Sequence, residues 1–203
     1  MALITAAEAR TMIPELSTSS TDEDTLIDTL IARVGALLAA WCGYPPASAG
    51  GTPTLESASY TEYLDGPGGR ELRLPIYPVT AVASIYDDTA WTWGSDALVA
   101  STDYAISDGR VGLVLLKETS THGSWSAARR SLKVAFTAGY ATVPADIKAA
   151  CAHAVRQVWN FRTEQGRANV SGGVVSLSLR EEEIVNRIAR ELLSARRLGS
   201  AWL

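Results

Sequence analysis

The strongest constraint on this chain is a change of hydrophobic period within residues 131–162, SLKVAFTAGYATVPADIKAACAHAVRQVWNFR. Leu132, Val134 and Phe136 alternate with Ser131, Lys133, Ala135 and Thr137, which is the period of a half-buried strand. Gly139 breaks that run. Pro144 then suits the first turn of a helix, where its missing N–H costs nothing and its fixed φ is already helical. From there Ile147, Ala150, Cys151, Ala154, Val158 and Phe161 fall on one stripe, with Asp146, His153, Arg156, Gln157 and Asn160 largely elsewhere. Trp159 and Arg162 sit at the edge of the stripe and serve either the core or a second contact surface. The stretch reads as a strand, a turn and a long amphipathic helix.

Two helices are expected upstream. Thr5 with Glu8 makes a capping box, and the short helix it opens stops before Pro14, because a proline disfavours helical geometry in the residue before it. After a polar joint at 17–21, Ser20 with Glu23 repeats the capping signature. Ile27, Leu30, Ile31, Val34, Leu38 and Trp41, joined by Leu37, then keep to one stripe until Gly43, with Pro45 and Pro46 barring continuation.

The period changes after a Ser, Gly and Pro linker at 47–54. Residues 60–136 carry strand signals and almost no helical ones. A hairpin is expected from 60–64 and 70–74 about a turn at 65–69. Residues 79–86 form a further arm that turns at Asp87 and Asp88 toward Trp91 and Trp93. A third pair joins 103–106 to 111–116 through Ser107, Asp108 and Gly109. Pro75 and Pro78 put the connection between the first arms at a sheet edge or outside it. Residues 119–130 are a loop.

Beyond Arg162, Gly166, Ser171, Gly172 and Gly173 mark a flexible joint. An arm follows in which Val174, Val175, Leu177 and Leu179 lie on a short alternating strand. Ser178 with Glu181 gives a third capping box, and Ile184, Val185, Ile188, Ala189, Leu192 and Leu193 share one helical face. Glu181, Glu182 and Glu183 lie at the positive end of the helix dipole, and Arg190, Arg196 and Arg197 near the negative end. A helix of that length is marginal alone, so its apolar face docks on its own domain or on another chain. The closing LGSAWL, with Trp202, either inserts into a neighbour or frays.

Little in the chain points to chemistry. His122 and His153 have no Cys, Asp or second His at ligand spacing, which argues against a metal site. The DGPGGRE segment lacks the Lys-Ser/Thr ending and the following helix of a phosphate loop and reads as a turn. No G-x-S-x-G occurs. Asp87 with Asp88, and Glu181 to Glu183, are better explained by a turn and a helix start than by acid and base roles. No active site and no cofactor is expected. Trp91, Trp93 and Trp125 fall in or beside loops of the β region, either as anchors of a protein interface or as loosely placed core. Arg129, Arg130 and Lys133 make a small basic cluster, read as solvated or partner-facing rather than as a DNA site.

Composition agrees. The 203 residues are 47% hydrophobic, ample for a core, and 18 Lys and Arg against 22 Asp and Glu leave a net charge of −4. That balance argues against holding nucleic acid by phosphate neutralisation, although it suits a wall past which DNA slides, or simply solubility. Cys42 and Cys151 read as small buried hydrophobes. No secretory signal is visible after Met1 and no apolar run is long enough to span a bilayer, so synthesis in a cytoplasm, without a membrane partner, is expected.

A strand ending in AGY, the run VPADIKAACAHAV and the end VWNFR, with ITAAEAR, STDEDTLIDTLIARVGALLAAWCGYP and LRLPIYPVTAVASIYDD upstream, resemble the head–tail connector (neck adaptor) proteins of tailed bacteriophages and gene transfer agents. The longer members carry a β insertion between their helices. The resemblance implies an α+β fold: a bundle of three to four helices from 1–55 and 138–165, an inserted small antiparallel β domain at 56–137, and a joint with a C-terminal arm and helix at 166–203. It further implies a non-enzymatic virion protein of the neck, made in the cytoplasm of a bacterial host. Copies form a ring, dodecameric in the virion, beneath the portal, and genomic DNA passes through the channel without sequence recognition. The arm, through Val174, Val175, Leu177, Leu179, Ile184 and Val185, with Ile188, Leu192 and Trp202, would meet the portal protein or a neighbouring subunit. Trp91, Trp93 and Trp125 would face tail or neck proteins. The alternatives are a tail terminator or other neck protein, or a non-viral β-rich module whose indoles stack on a ligand such as a carbohydrate.

Overall fold

The structure, a computed structural model, describes residues 3–16, 23–165 and 187–198. Among them are four α-helices and two small antiparallel sheets, an α+β chain. It divides into two compact units: Met1–Pro45 with Thr52–Leu55 and Thr142–Leu203, and Pro46–Gly51 with Glu56–Ala141.

The first unit holds α1 (Ala6–Met12), α2 (Asp24–Trp41), α3 (Ala145–Gln165) and α4 (Arg187–Leu193). The capping box of α1 is formed as expected: Thr5 Oγ1 accepts from the Glu8 N–H at 3.1 Å, and Glu8 Oε2 accepts from the Thr5 N–H at 2.9 Å. The helix ends at Ile13, and a 3-10 turn, Pro14–Leu16, follows. At the start of α2 the cap is Glu23, whose side chain makes no capping bond; Ser20 lies outside the described residues. Arg10 holds this end instead. Its Nε and Nη2 donate to Asp24 Oδ1 at 3.0 and 2.6 Å, while Nη1 donates to the Leu16 carbonyl at 3.0 Å. The Asp24 carboxylate also lies at the positive end of the α2 dipole.

Helix α2 buries Ile27, Ile31, Val34, Leu38 and Ala39, one stripe of its cylinder. Helix α3 buries Ile147, Ala150, Cys151, Ala154, Val155 and Trp159, so Trp159 belongs to the core. It packs on α1, α2 and α4. Two ion pairs join these elements at their rims, Lys148 Nζ to Glu8 Oε1 at 2.6 Å and Arg196 Nε to Asp146 Oδ2 at 2.9 Å. Past α4 the Leu198 N–H donates to the Cys42 carbonyl at 2.8 Å, and the Arg197 guanidinium lies 4.9 Å from the Trp41 ring centre. The expected start of the last helix, Ser178 and Glu181, lies outside the described residues.

The second unit contains β1 (Ala58–Leu64), β2 (Glu71–Arg73), β3 (Val79–Asp87), β4 (Tyr104–Asp108), β5 (Leu113–Leu116) and β6 (Leu132–Ala138). One sheet has the order β1-β6-β3 and the other β2-β5-β4, every pairing antiparallel. β6 is central in its sheet: Leu132, Val134, Phe136 and Ala138 are buried, and the residues between them are half-buried. The β4–β5 hairpin matches the sequence expectation, turning through Gly109–Val111 to Gly112 at φ 67. There a Cβ would meet the Leu74 carbonyl at 2.7 Å, so glycine is required twice over.

The expected hairpin of 60–64 with 70–74 is corrected. β1 pairs with β6 and β2 with β5, so the chain crosses between sheets at 65–70. That crossing pairs with the 125–131 loop rather than folding on itself. The Gly66 N–H donates to the Ala128 carbonyl at 2.8 Å and the Trp125 N–H to the Gly69 carbonyl at 2.9 Å. At Gly66 a side chain would run into the Ser126 carbonyl, which is why the crossing carries a glycine there.

Two outcomes test this packing. Truncating Phe136 to alanine at the centre of the buried face should cost roughly 3–5 kcal/mol, measured by urea unfolding. Cys42 and Cys151 are free and buried, and burial pushes both thiols up to about 12. A thiol reagent at about pH 8 should therefore leave the native chain unmodified and label both cysteines once it is unfolded.

Candidate functional site

Asp87 ends β3 and Asp88 follows it, and because successive residues of an extended chain point to opposite faces they fix two different loops. The Asp87 side chain is 5% exposed. Its Oδ2 receives the Ser126 N–H at 2.9 Å and lies 2.8 Å from His122 Nε2, holding the 119–130 loop over the end of the sheet. Trp125 is brought in with that loop: it is 1% exposed, its indole N–H donates to the Arg70 carbonyl at 3.2 Å, and its ring lies 5.6 Å from that of His122. Trp125 is therefore core in this chain and is not offered to a partner.

Asp88 organises the opposite side. Its Oδ1 accepts from the Ala90 N–H at 2.7 Å, and its Oδ2 from the Thr92 N–H, the Thr92 hydroxyl and the Trp93 N–H at 2.7, 2.7 and 2.8 Å. These bonds, led by the Thr92 hydroxyl and then the Trp93 N–H, hold its carboxyl down at about 2. The chain they gather is strained. Trp91 and Trp93 sit at φ 60 and 56, the left-handed region that bulky residues avoid. Arg130, at φ 49, is fixed in the same way by Asp65 Oδ1, which accepts its N–H at 2.7 Å.

The result is a continuous surface of rings and cations. Trp91 is 57% exposed and donates its indole N–H to the Arg129 carbonyl at 3.3 Å. Trp93 lies 5.4 Å from Tyr63, ring centre to ring centre, and the Arg130 guanidinium lies 5.4 Å from the same tyrosine. Strand register extends the row, since Tyr63 on β1 and Tyr86 on β3 both oppose Lys133 on β6. The Lys133 ammonium is 5.3 Å from the Tyr86 ring centre. Sequence reasoning picked out Trp91, Trp93 and the basic cluster but not Tyr63 or Tyr86. Tyr63 is exposed between two half-buried residues and Tyr86 is half-buried, but only the register shows that they flank one lysine.

The remaining expected contact residues fall on the C-terminal region. Val174, Val175, Leu177, Leu179, Ile184, Val185 and Trp202 lie outside the described residues. Ile188 is on α4 and Leu192, on the same helix, is half-buried. His153 lines a hollow of about 230 Å³ between α1 and α3 with Met12, Ile13, Ala149, Ala152 and Arg156. Among the described residues no group of three His, Cys, Asp or Glu side chains is placed to hold a metal ion, and no helix is long and apolar enough to cross a membrane.

The head completion protein family matches residues 2–197, nearly the whole chain. The chain belongs to that family. Among solved structures, this head completion protein is similar to a chain of the neck of an empty gene transfer agent particle, computed with C6 symmetry. The TM-score is 0.53 and the identity 17%, over 92% of this chain and 88% of that one. A chain of the virion of a native gene transfer agent particle aligns with a TM-score of 0.52 and 18% identity, over 90% of this chain and 87% of that one. At these identities the likeness is one of fold. No curated protein matches the sequence.

The Asp88 turn has a pH signature. A carboxyl lowered from 3.8 to about 2 stabilises the turn fully above about pH 4, and the contribution is lost as pH falls through about 2. Tryptophan emission and near-ultraviolet circular dichroism should change between about pH 4 and 2. Asp88→Asn, which keeps one acceptor oxygen and no charge, should show the loosened spectrum already at neutral pH.

Proposed function

We propose that this head completion protein is a structural component of the neck of a tailed-phage-like particle, a head–tail connector that works by assembly rather than by catalysis. The family match over residues 2–197 carries the reading, and the neck and virion origin of the two similar chains supports it. Copies of the chain close into a ring between the portal and the tail or the next neck protein, and subunit faces bury one another in the closed assembly. A twelve-membered ring is compatible with the sixfold symmetry of the similar neck. The helices pack as a bundle that lines the channel. The net charge of −4 leaves DNA free to slide, because a wall that neutralised phosphates would hold it. The segment 174–203 docks on the portal, and the β unit faces away from the channel or toward the next neck component.

Mass spectrometry with particle imaging on particles from the producing strain tests the reading. The chain should be present at a ring-like copy number and sit at the neck. Complete particles that lack it would refute the role. Removing residues 174–203 should leave heads that no longer retain the chain; unchanged portal binding by the shortened chain would refute the docking assignment alone.

A further inference from the structure

The outward face of the β1-β6-β3 sheet, with the Trp91 turn beside it, is more than an exposed aromatic patch. The geometry points to a docking surface for a second protein that presents an apolar side chain ringed by Asp or Glu carboxylates.

Charge argues first. Among the described residues, no carboxylate forms an ion pair with Arg129, Arg130 or Lys133, and the latter two rest their charges on tyrosine rings. Two carboxylates of the same loops, Asp65 and Asp88, are occupied with backbone N–H groups and the Thr92 hydroxyl. Three cations with no acid of their own, in a chain of net charge −4, form a local field that an acidic partner would satisfy. The rings argue second. Trp, Tyr and Arg are the residue types that dominate binding energy at protein interfaces, and here Trp91 and Tyr63 stand 57% and 41% exposed. Conformation argues third. Trp91, Trp93 and Arg130 all occupy the left-handed region, where glycine would be easier, and such strain gathers where a surface is held ready for a ligand.

A single nucleic-acid strand could also stack on such rings. It fits less well, because three cations beside two fixed carboxylates give a short track for phosphates and the chain as a whole repels them. An apolar contact surrounded by carboxylates uses every group present: the rings cover the apolar side chain, and the guanidinium and ammonium groups meet the acids. The inference rests on the neck reading only in taking the partner to be another particle protein.

The test uses the purified full-length chain, so it succeeds or fails independently of where the chain sits in a particle. Tryptophan emission is followed while three probes are added: a peptide with one leucine flanked by glutamates, its glutamine counterpart, and oligothymidylate. The glutamate peptide should bind, more weakly at higher salt, with the other two at least about tenfold weaker. Arg129→Glu with Arg130→Glu should reduce its binding by about tenfold or more. Arg130→Gly separates binding from folding: it relieves the positive φ, so the melting temperature should hold or rise while affinity for the glutamate peptide falls. Equal binding of the glutamine peptide, preference for oligothymidylate, no binding of any probe, or unchanged affinity in the Arg129 and Arg130 variants would overturn the inference. So would a shift in self-association by those variants without a loss of peptide binding, which would make the face a contact between copies.

Discussion

The second unit depends on β6 being paired on both sides. Leu132, Val134 and Phe136 are at most 1% exposed, and the backbone between them bonds to β1 on one side and β3 on the other. The strand that completes the sheet is thus the last of the six among the described residues, and its partners end at residues 64 and 87. Among the described residues neither β1 nor β3 pairs with another strand of its sheet, β3 meeting only a single bridge at Leu98, so both wait for a segment far along the chain, a non-local pairing with the slow closure that such topology brings. Gly139, at φ 102 and with its N–H on the Pro78 carbonyl at 2.8 Å, then ends the strand, and α3 starts six residues later.

Upon that sheet, two adjacent carboxylates of unlike surroundings set the two loop systems. Asp87, on the buried side, seats the loop that carries His122 and Trp125; Asp88, on the open side, shapes the turn that carries Trp91 and Trp93. Two of the indoles that looked alike in sequence are thereby separated from the third. The alternation of an extended chain makes that separation, since one residue's step past the end of β3 exchanges interior for surface.

Local signals were the legible ones. The Thr5 and Glu8 box, the stop before Pro14, Pro144 ahead of α3, the period of β6 and the β4–β5 turn are each decided within a few residues, and the structure carries all of them. Strand partners were not legible. The alternation of residues 60–64 tells which face is buried, not which strand lies alongside, and the tempting partner at 70–74 lost to β6 because tertiary burial decides pairing. The left-handed turn was hidden too. The usual marker of positive φ is glycine, and Trp91, Trp93 and Arg130 take that conformation without it. The start of α2 illustrates a third case, in which Arg10, 14 positions upstream of its partner Asp24, holds the end of the helix.

The two ends of the longer stretch of the β unit, Glu56–Ala141, are neighbours. Glu56 and Tyr140 form a bridge, and the Ser57 N–H donates to the Tyr140 carbonyl at 3.1 Å. Everything between these two residues is one closed loop whose ends already touch. The entropy of closing a loop grows only with the logarithm of its length, so residues gained or lost inside it cost little. A segment closed in this way can be lengthened, trimmed or exchanged in evolution while its ends stay together, because only the bridge between Glu56 and Tyr140 has to be kept.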